Sequence, residues 1–236
     1  VALRISDKDW ASLPEDLRRA LASSRAASAT VAFGVSDEGP WISFDDEPTW
    51  KPLVLNYEEG RLGYRAARVE QSSELLKKAM GAKKGLRVVD ATAGLGRDSL
   101  MLSLLGHSVV SFERHPALFA LAWIARSRLE APVDWELRLG EASDSAIEAD
   151  VVYLDPMYPD EGRTAASRKD LQAVRKLAAP TELADEIRLW EWARRTAPRV
   201  VVKRPRTGRP LAGAPAPSHR LEGKSTRFDI YLRKGA

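Results

Sequence analysis

The chain has no cysteine and only three histidines. Without cysteine there is no disulfide framework and no thiolate zinc site, and the sequence suits a reducing compartment. The histidines, His107, His115 and His219, lack the spacing of a metal-binding set, so nothing in the sequence supports a metal centre. Long apolar runs are missing too: the longest, ALFALAWIA at 117–125, is about half of the roughly 20 residues a membrane span requires. No basic n-region with an apolar core opens the sequence. The expectation is a cytoplasmic protein with no metal and no membrane association. Repeats and low-complexity tracts are also absent, apart from a Pro/Ala/Gly-rich loop, PRTGRPLAGAPAP, at 205–217.

What is present is enough chain, 236 residues, to bury a full core in one large domain or in a medium domain with an appendage. Its net charge is +4, unevenly placed: from Arg194 onward twelve Lys or Arg face only Glu222 and Asp229. Such asymmetry points to a polyanion-facing end, with a solubilising basic tail as the plain alternative.

Residues 1–70 read as a small α+β N-terminal domain. A helix is expected near 14–27, then short β-like runs, ATVAFGV, PWISF, PLVLNY and RLGYR, separated by turn formers. Val69, Leu75, Leu76, Ala79 and Met80 have helical spacing, with Gly81 as a stop, and lead into a main domain over 71–236. There strands and helices alternate: LRVVDA, helix 97–105, HSVVSFE, helix 116–129, DWELRLG, DVVYLD, helices 164–178 and 182–196, and RVVVKR. That pattern implies βαβ units and a buried parallel sheet. The last runs, SHRLEG and TRFDIYLR, are too close together for a crossover helix and suit an antiparallel pair. The expected class is therefore α/β: a Rossmann-like, mostly parallel seven-stranded sheet with an antiparallel last strand, as in class I methyltransferases. A dinucleotide dehydrogenase would continue with parallel strands.

VVDATAGLGRDS at 88–99 places Gly94 and Gly96 between a strand and a helix, where backbone can approach a ligand. Asp90 and Asp98 flank the loop, a poor environment for a pyrophosphate and a good one for the ammonium of a methionine moiety. Glu113 ends the next strand, seventeen residues past Gly96, near the position of an acid that grips ribose hydroxyls. S-adenosylmethionine (SAM) offers both groups; the plainer reading is a tight strand-to-helix turn. Arg97 and Arg114 read equally as ion-pair residues. Ser143 and Asp144 fall where an adenine-contacting turn would lie, or are ordinary turn formers.

LDPMYP at 154–159 has the form of the D/N-P-P-Y/F loop of enzymes that methylate exocyclic amino nitrogens. Such an amine is a weak nucleophile because its lone pair is delocalised into the ring. Acceptors at its hydrogens, the Asp155 carboxylate and the Pro156 carbonyl, would counter this, and Tyr158 offers a face for stacking an extruded base. A strand-ending turn with a core-edge aromatic is the structural alternative.

Taken together, VVDATAGLGRDS, FER at 112–114, VVYLDPMYP, VVVKRP at 200–205 and RFDIYL at 227–232 resemble the bacterial 16S rRNA (guanine-1516-N2)-methyltransferases. The Met of D-P-M-Y is a more specific marker than D-P-P-Y. The resemblance implies SAM contacts at Arg97, Asp98, Glu113, Arg114, Ser143 and Asp155, and methyl transfer to a guanosine N2 in 16S rRNA or the small ribosomal subunit. Two features depart from the family: RAARVEQSSE stands where a glycine-rich basic stretch is usual, and His115 follows Glu113-Arg114 where Asn is common. The alternatives are an adenine-N6 or tRNA guanine-N2 enzyme, and a SAM-binding regulator without catalysis. The expected RNA-facing rim comprises Lys203, Arg204, Arg206, Arg209, Lys224 and Arg227, with Arg163, Arg168 and Lys169 beside the D-P-M-Y loop.

Overall fold

A computed structural model describes residues 2–72, 74–157, 169–178 and 181–233. The N-terminal part opens with β1 (Arg4–Ile5), α1 (Asp7–Ser12) and α2 (Glu15–Leu21), followed by β2 (Val31–Ser36), β3 (Gly39–Phe44) and β4 (Leu53–Val54). Alternation in β2 and β3 turns Val31, Phe33, Ile42 and Phe44 inward, and the strands form a four-stranded sheet in the order β1-β2-β3-β4. The helix expected over 14–27 is only α2 and a short 3₁₀ turn at Ala22–Ser24. RLGYR, expected as a strand, lies instead in α3 (Gly60–Ala66); α4 (Val69–Ser72) and α5 (Glu74–Met80) follow. Leu62 and Tyr64 stand two apart, as in a strand, but five residues are too few for a period to decide, and the helix forms despite its two glycines.

The larger sheet is built from β5 (Arg87–Asp90), α6 (Arg97–Leu104), β6 (Ser108–Glu113), α7 (Pro116–Ser127), β7 (Trp135–Leu139) and β8 (Val151–Leu154). It continues through α8 (Lys169–Leu177), α9 (Leu183–Thr196), β9 (Arg199–Pro205), β10 (His219–Glu222) and β11 (Thr226–Leu232). Its seven strands run in the order β10-β11-β9-β8-β5-β6-β7. β5 to β9 pair in parallel, and β11 is antiparallel to both β9 and β10. From β5 the chain first builds outward through β6 to β7, then returns to the other side with β8. This reversal places a switch point at the carboxyl ends of β5 and β8, where open α/β sheets bind ligands.

Both faces of the central strands are covered, which is why they read as continuous apolar runs. One core cluster contains Phe33, Ile42, Tyr57, Leu100, Leu121, Trp135, Tyr153 and Phe228, so the small sheet and the large one share it. A second holds Val89, Val152, Leu154, Trp190, Trp192, Val202 and Tyr231. α7 packs on β3, and Tyr57 Oη donates to Leu95 O at 2.8 Å, joining the N-terminal part to the glycine loop. Among the described residues no helix is long and apolar enough to cross a membrane.

Candidate active site

The loop between β5 and α6 turns on two left-handed glycines, Gly94 at φ 56° and Gly96 at φ 64°. Their surroundings differ. A Cβ on Gly94 would meet nothing within 4 Å, whereas one on Gly96 would lie 2.5 Å from Trp135 Cη2 and 2.6 Å from Tyr57 Oη. Gly94 therefore has an open side and Gly96 is packed from behind. Asp90, 1% exposed, lies beneath the loop: its Oδ1 accepts from Thr92 N at 3.1 Å and its Oδ2 from Ser99 Oγ at 2.6 Å. Burial pushes its carboxyl up to about 7, against the pull of those bonds. Glu113, at the end of β6 and 7% exposed, accepts from Gly94 N and from His115 N, both at 2.7 Å. Its carboxyl is likewise raised by burial to about 7. His115 precedes Pro116 at the start of α7; burial pushes its ring down to about 4 and keeps it neutral.

At the end of β8, Asp155 N donates to Thr92 Oγ1 at 2.6 Å, tying the D-P-M loop directly to the glycine loop. Its side chain is 36% exposed. Lys203, from β9, bridges two acids: its Nζ lies 2.6 Å from Asp98 Oδ2 and 2.8 Å from Asp155 Oδ2. Tyr153 Oη also donates to Asp98 Oδ2, at 2.6 Å. Burial favours protonation of Asp98, but Lys203 and Tyr153 prevail and its carboxyl falls below the usual range. Asp155 is raised, by burial and then by repulsion from Asp98, with Lys203 opposing. Lys203 is itself raised, because its two carboxylates outweigh its desolvation. Four elements, β5, α6, β8 and β9, thus deliver polar groups to one point at the switch of the sheet.

A family model of SAM-dependent methyltransferases matches residues 18–233. The chain belongs to that family. Ribosomal RNA small subunit methyltransferase J of Alkalilimnicola ehrlichii is 44% identical, with 76% of this chain and 74% of the relative covered. The protein of the same name from Thioalkalivibrio sulfidiphilus is 40% identical over 77% and 76% of the respective chains. Among solved structures, a SAM-dependent methyltransferase from Neisseria gonorrhoeae is 31% identical and superposes with a TM-score of 0.72, covering 100% of this chain and 97% of that one.

The methyltransferase's own residues fit its cofactor, SAM. A left-handed glycine with an unobstructed side stands next to a buried carboxylate whose two bonded oxygens retain lone pairs for hydroxyl donors. Asp90 and Asp98 are turned toward the protein's own groups, Asp90 holding the loop and Asp98 holding Lys203 and Tyr153. Arg97 begins α6 and is partly buried. Arg114 is exposed, with Glu141 at 3.1 Å and Asp185 at 3.7 Å. Ser143 and Asp144 sit in a 3₁₀ turn after β7, and this turn is drawn to the site by Gly140 N donating to Glu113 O at 2.9 Å. Pro156 is buried. Tyr158, Arg163 and Arg168 lie outside the described residues, as does the side chain of Lys169.

The expected basic rim needs correction at four positions. Lys203 is inside the acid cluster. Arg204 is 1% exposed and its Nε donates to Arg209 O at 2.7 Å. Arg227, 4% exposed, bonds Asp229 and the carbonyls of Pro205, Arg206 and Gly208. Arg209 pairs with the buried Glu186 at 2.6 and 2.8 Å. Arg204 and Arg227 tie the loop after β9 to the sheet and Arg209 ties it to α9, because buried charges need partners and bonds. Arg206 and Lys224 are exposed. Thr92 and Tyr153, and the bridging of Asp98 and Asp155 by Lys203, were not expected from the sequence. Their one sequence signal is position, since each stands at or just beyond the carboxyl end of a strand beside the switch point.

Proposed function

We propose that this chain transfers the methyl group of SAM to the exocyclic N2 of a guanosine in 16S rRNA, corresponding to guanosine 1516 of the family it resembles. One observation carries the reading: the 2.6 Å bond from Asp155 N to Thr92 Oγ1 fixes a carboxylate suited to an exocyclic amine against the loop suited to SAM. Relatives named ribosomal RNA small subunit methyltransferase J support rRNA as the substrate.

Bound SAM would supply an electrophilic methyl on a sulfonium. Asp155 would accept one hydrogen of the amine and the Pro156 carbonyl the other, returning lone-pair density to nitrogen and aligning it for in-line transfer. Once the amine has taken up that methyl, its proton would leave to solvent or through Asp155. Tyr158 would stack the extruded base. Glu113 would hold ribose hydroxyls, and Arg97, Arg114, Ser143 and Asp144 would complete the cofactor's surroundings. RNA phosphates would meet Arg206 and Lys224, with Arg163, Arg168 and Lys169. Division into an N-terminal domain over 1–70 and a catalytic domain over 71–236, and a cytoplasmic location, belong to the same proposal.

The test is incubation with labelled SAM and unmethylated 16S rRNA or small subunits, followed by nucleoside analysis. N2-methylguanosine is the expected product. Label in N6-methyladenosine, or in tRNA instead, would redirect the substrate, and SAM binding without transfer to any of these would favour the regulator.

A further inference from the structure

Asp90, Asp98 and Asp155 converge on the switch point, and the cation bonded to two of them is Lys203. Its Nζ bonds Oδ2 of Asp98 at 2.6 Å and Oδ2 of Asp155 at 2.8 Å, so the two carboxylates are fixed relative to each other through one ammonium. Asp155 Oδ1 accepts no hydrogen bond among the described residues, and the side chain is partly open to solvent. We propose that Lys203 is a positioning residue for methyl transfer: bridging from Asp98, it orients the Asp155 carboxylate through Oδ2, so that Oδ1 meets the substrate amine as an acceptor.

This rests on the proposed function, and its physical basis is local. A protonated Asp155 would present a donor to an amine hydrogen and lose its role. The groups that bear on Asp155 are Lys203 and Arg204 from β9, Asp98 from α6, Asp90 from β5 and Tyr153 from β8, with Arg65 of α3 acting on Asp98. Burial and the neighbouring acids favour the proton, and Lys203 is the bonded cation that resists it. An arginine at this position keeps the charge with a different fork, whereas a methionine keeps only the stem.

The experiment uses Lys203→Met, Lys203→Gln and Lys203→Arg in the full chain. Carboxyl carbon NMR titration without cofactor follows Asp155, its signal assigned with Asp155→Asn; the pH dependence of kcat and the KM for 16S rRNA are measured alongside. The expected result is an Asp155 midpoint raised by about one to three pH units in the Met and Gln variants, with Arg restoring most of the shift. In those two variants kcat falls most steeply on the acid side, its acid limb moves upward in step with the midpoint, and KM changes little. An unchanged midpoint overturns the inference. So does a loss of kcat that is uniform across pH and accompanied by a lowered Tm, the mark of a merely structural lysine. The Gln variant keeps a polar group at the site, so a folding defect in the Met variant does not decide the matter. A wild-type protein that moves no methyl to RNA while the Asp155 midpoint still depends on Lys203 overturns the substrate reading and supports the bridge.

Discussion

At Gly96 an added methyl would collide with Trp135 and Tyr57 in a left-handed backbone, while at Gly94 the same methyl would enter open space. Gly96→Ala should therefore lose about 2–5 kcal/mol of stability, combining backbone strain with overpacking, as measured by urea unfolding. Gly94→Ala should cost about 1–2 kcal/mol but weaken SAM binding at least tenfold in calorimetry. Equal SAM affinity in that variant would show that the loop's open side is not the cofactor side. Glu113 sets a pH dependence. In the free protein its carboxyl titrates at about 7, raised by burial, and hydroxyl donors favour the ionised form. SAM affinity should then climb as pH rises through about 7 and level off above it, with proton release on binding below that point. Glu113→Gln should flatten this rise, and a variant that keeps the full dependence would remove Glu113 from the cofactor site.

Thr92 and Asp155 join two elements through one side-chain-to-backbone bond. Thr92→Val keeps the shape, strands the Asp155 N–H and should cost about 1–3 kcal/mol, with kcat reduced more than SAM affinity. Thr92→Ser should recover both. Much of this level was legible beforehand, because strand and helix periods differ clearly over β5 to β9 and the short link between β10 and β11 excludes a crossover. RLGYR failed because it is too short for its period to decide. The basic rim departs from expectation at four positions because charge along a sequence carries no sidedness. Lys203 and Arg204 are adjacent on a strand and must point to opposite faces; one reaches the acids and the other is buried near Arg209. Glycine loop and D-P-M loop were recognisable as motifs, but their direct hydrogen bond belongs to the sheet order, which places β8 next to β5 across a long stretch of chain.

For the molecule as a whole, the shared core containing Ile42, Tyr57, Leu121 and Trp135 makes the small sheet part of the support for the glycine loop. Thermal unfolding should be a single transition, coincident by near-ultraviolet and far-ultraviolet circular dichroism. An early, separate loss of the N-terminal sheet would show that the common core is not cooperative. The basic carboxyl-terminal third is likewise divided by packing. Neutralising Arg206 and Lys224 together should flatten the salt dependence of RNA binding by about 0.7 of a slope unit for each phosphate left without its cation, with SAM binding unchanged. An unaltered slope would assign these two to solubility.

Trp135 is almost fully enclosed, its Nε1 donates to Ser111 Oγ at 2.6 Å, and its ring edge backs the Gly96 backbone. An indole in that position is an optical gauge built into the wall behind the glycine loop. Its emission should be blue-shifted in the free protein, and changes in the loop's backbone on filling should alter its intensity without any dye. With the other tryptophans replaced by phenylalanine, a stopped-flow trace of this one residue would time the arrival and departure of cofactor separately from RNA.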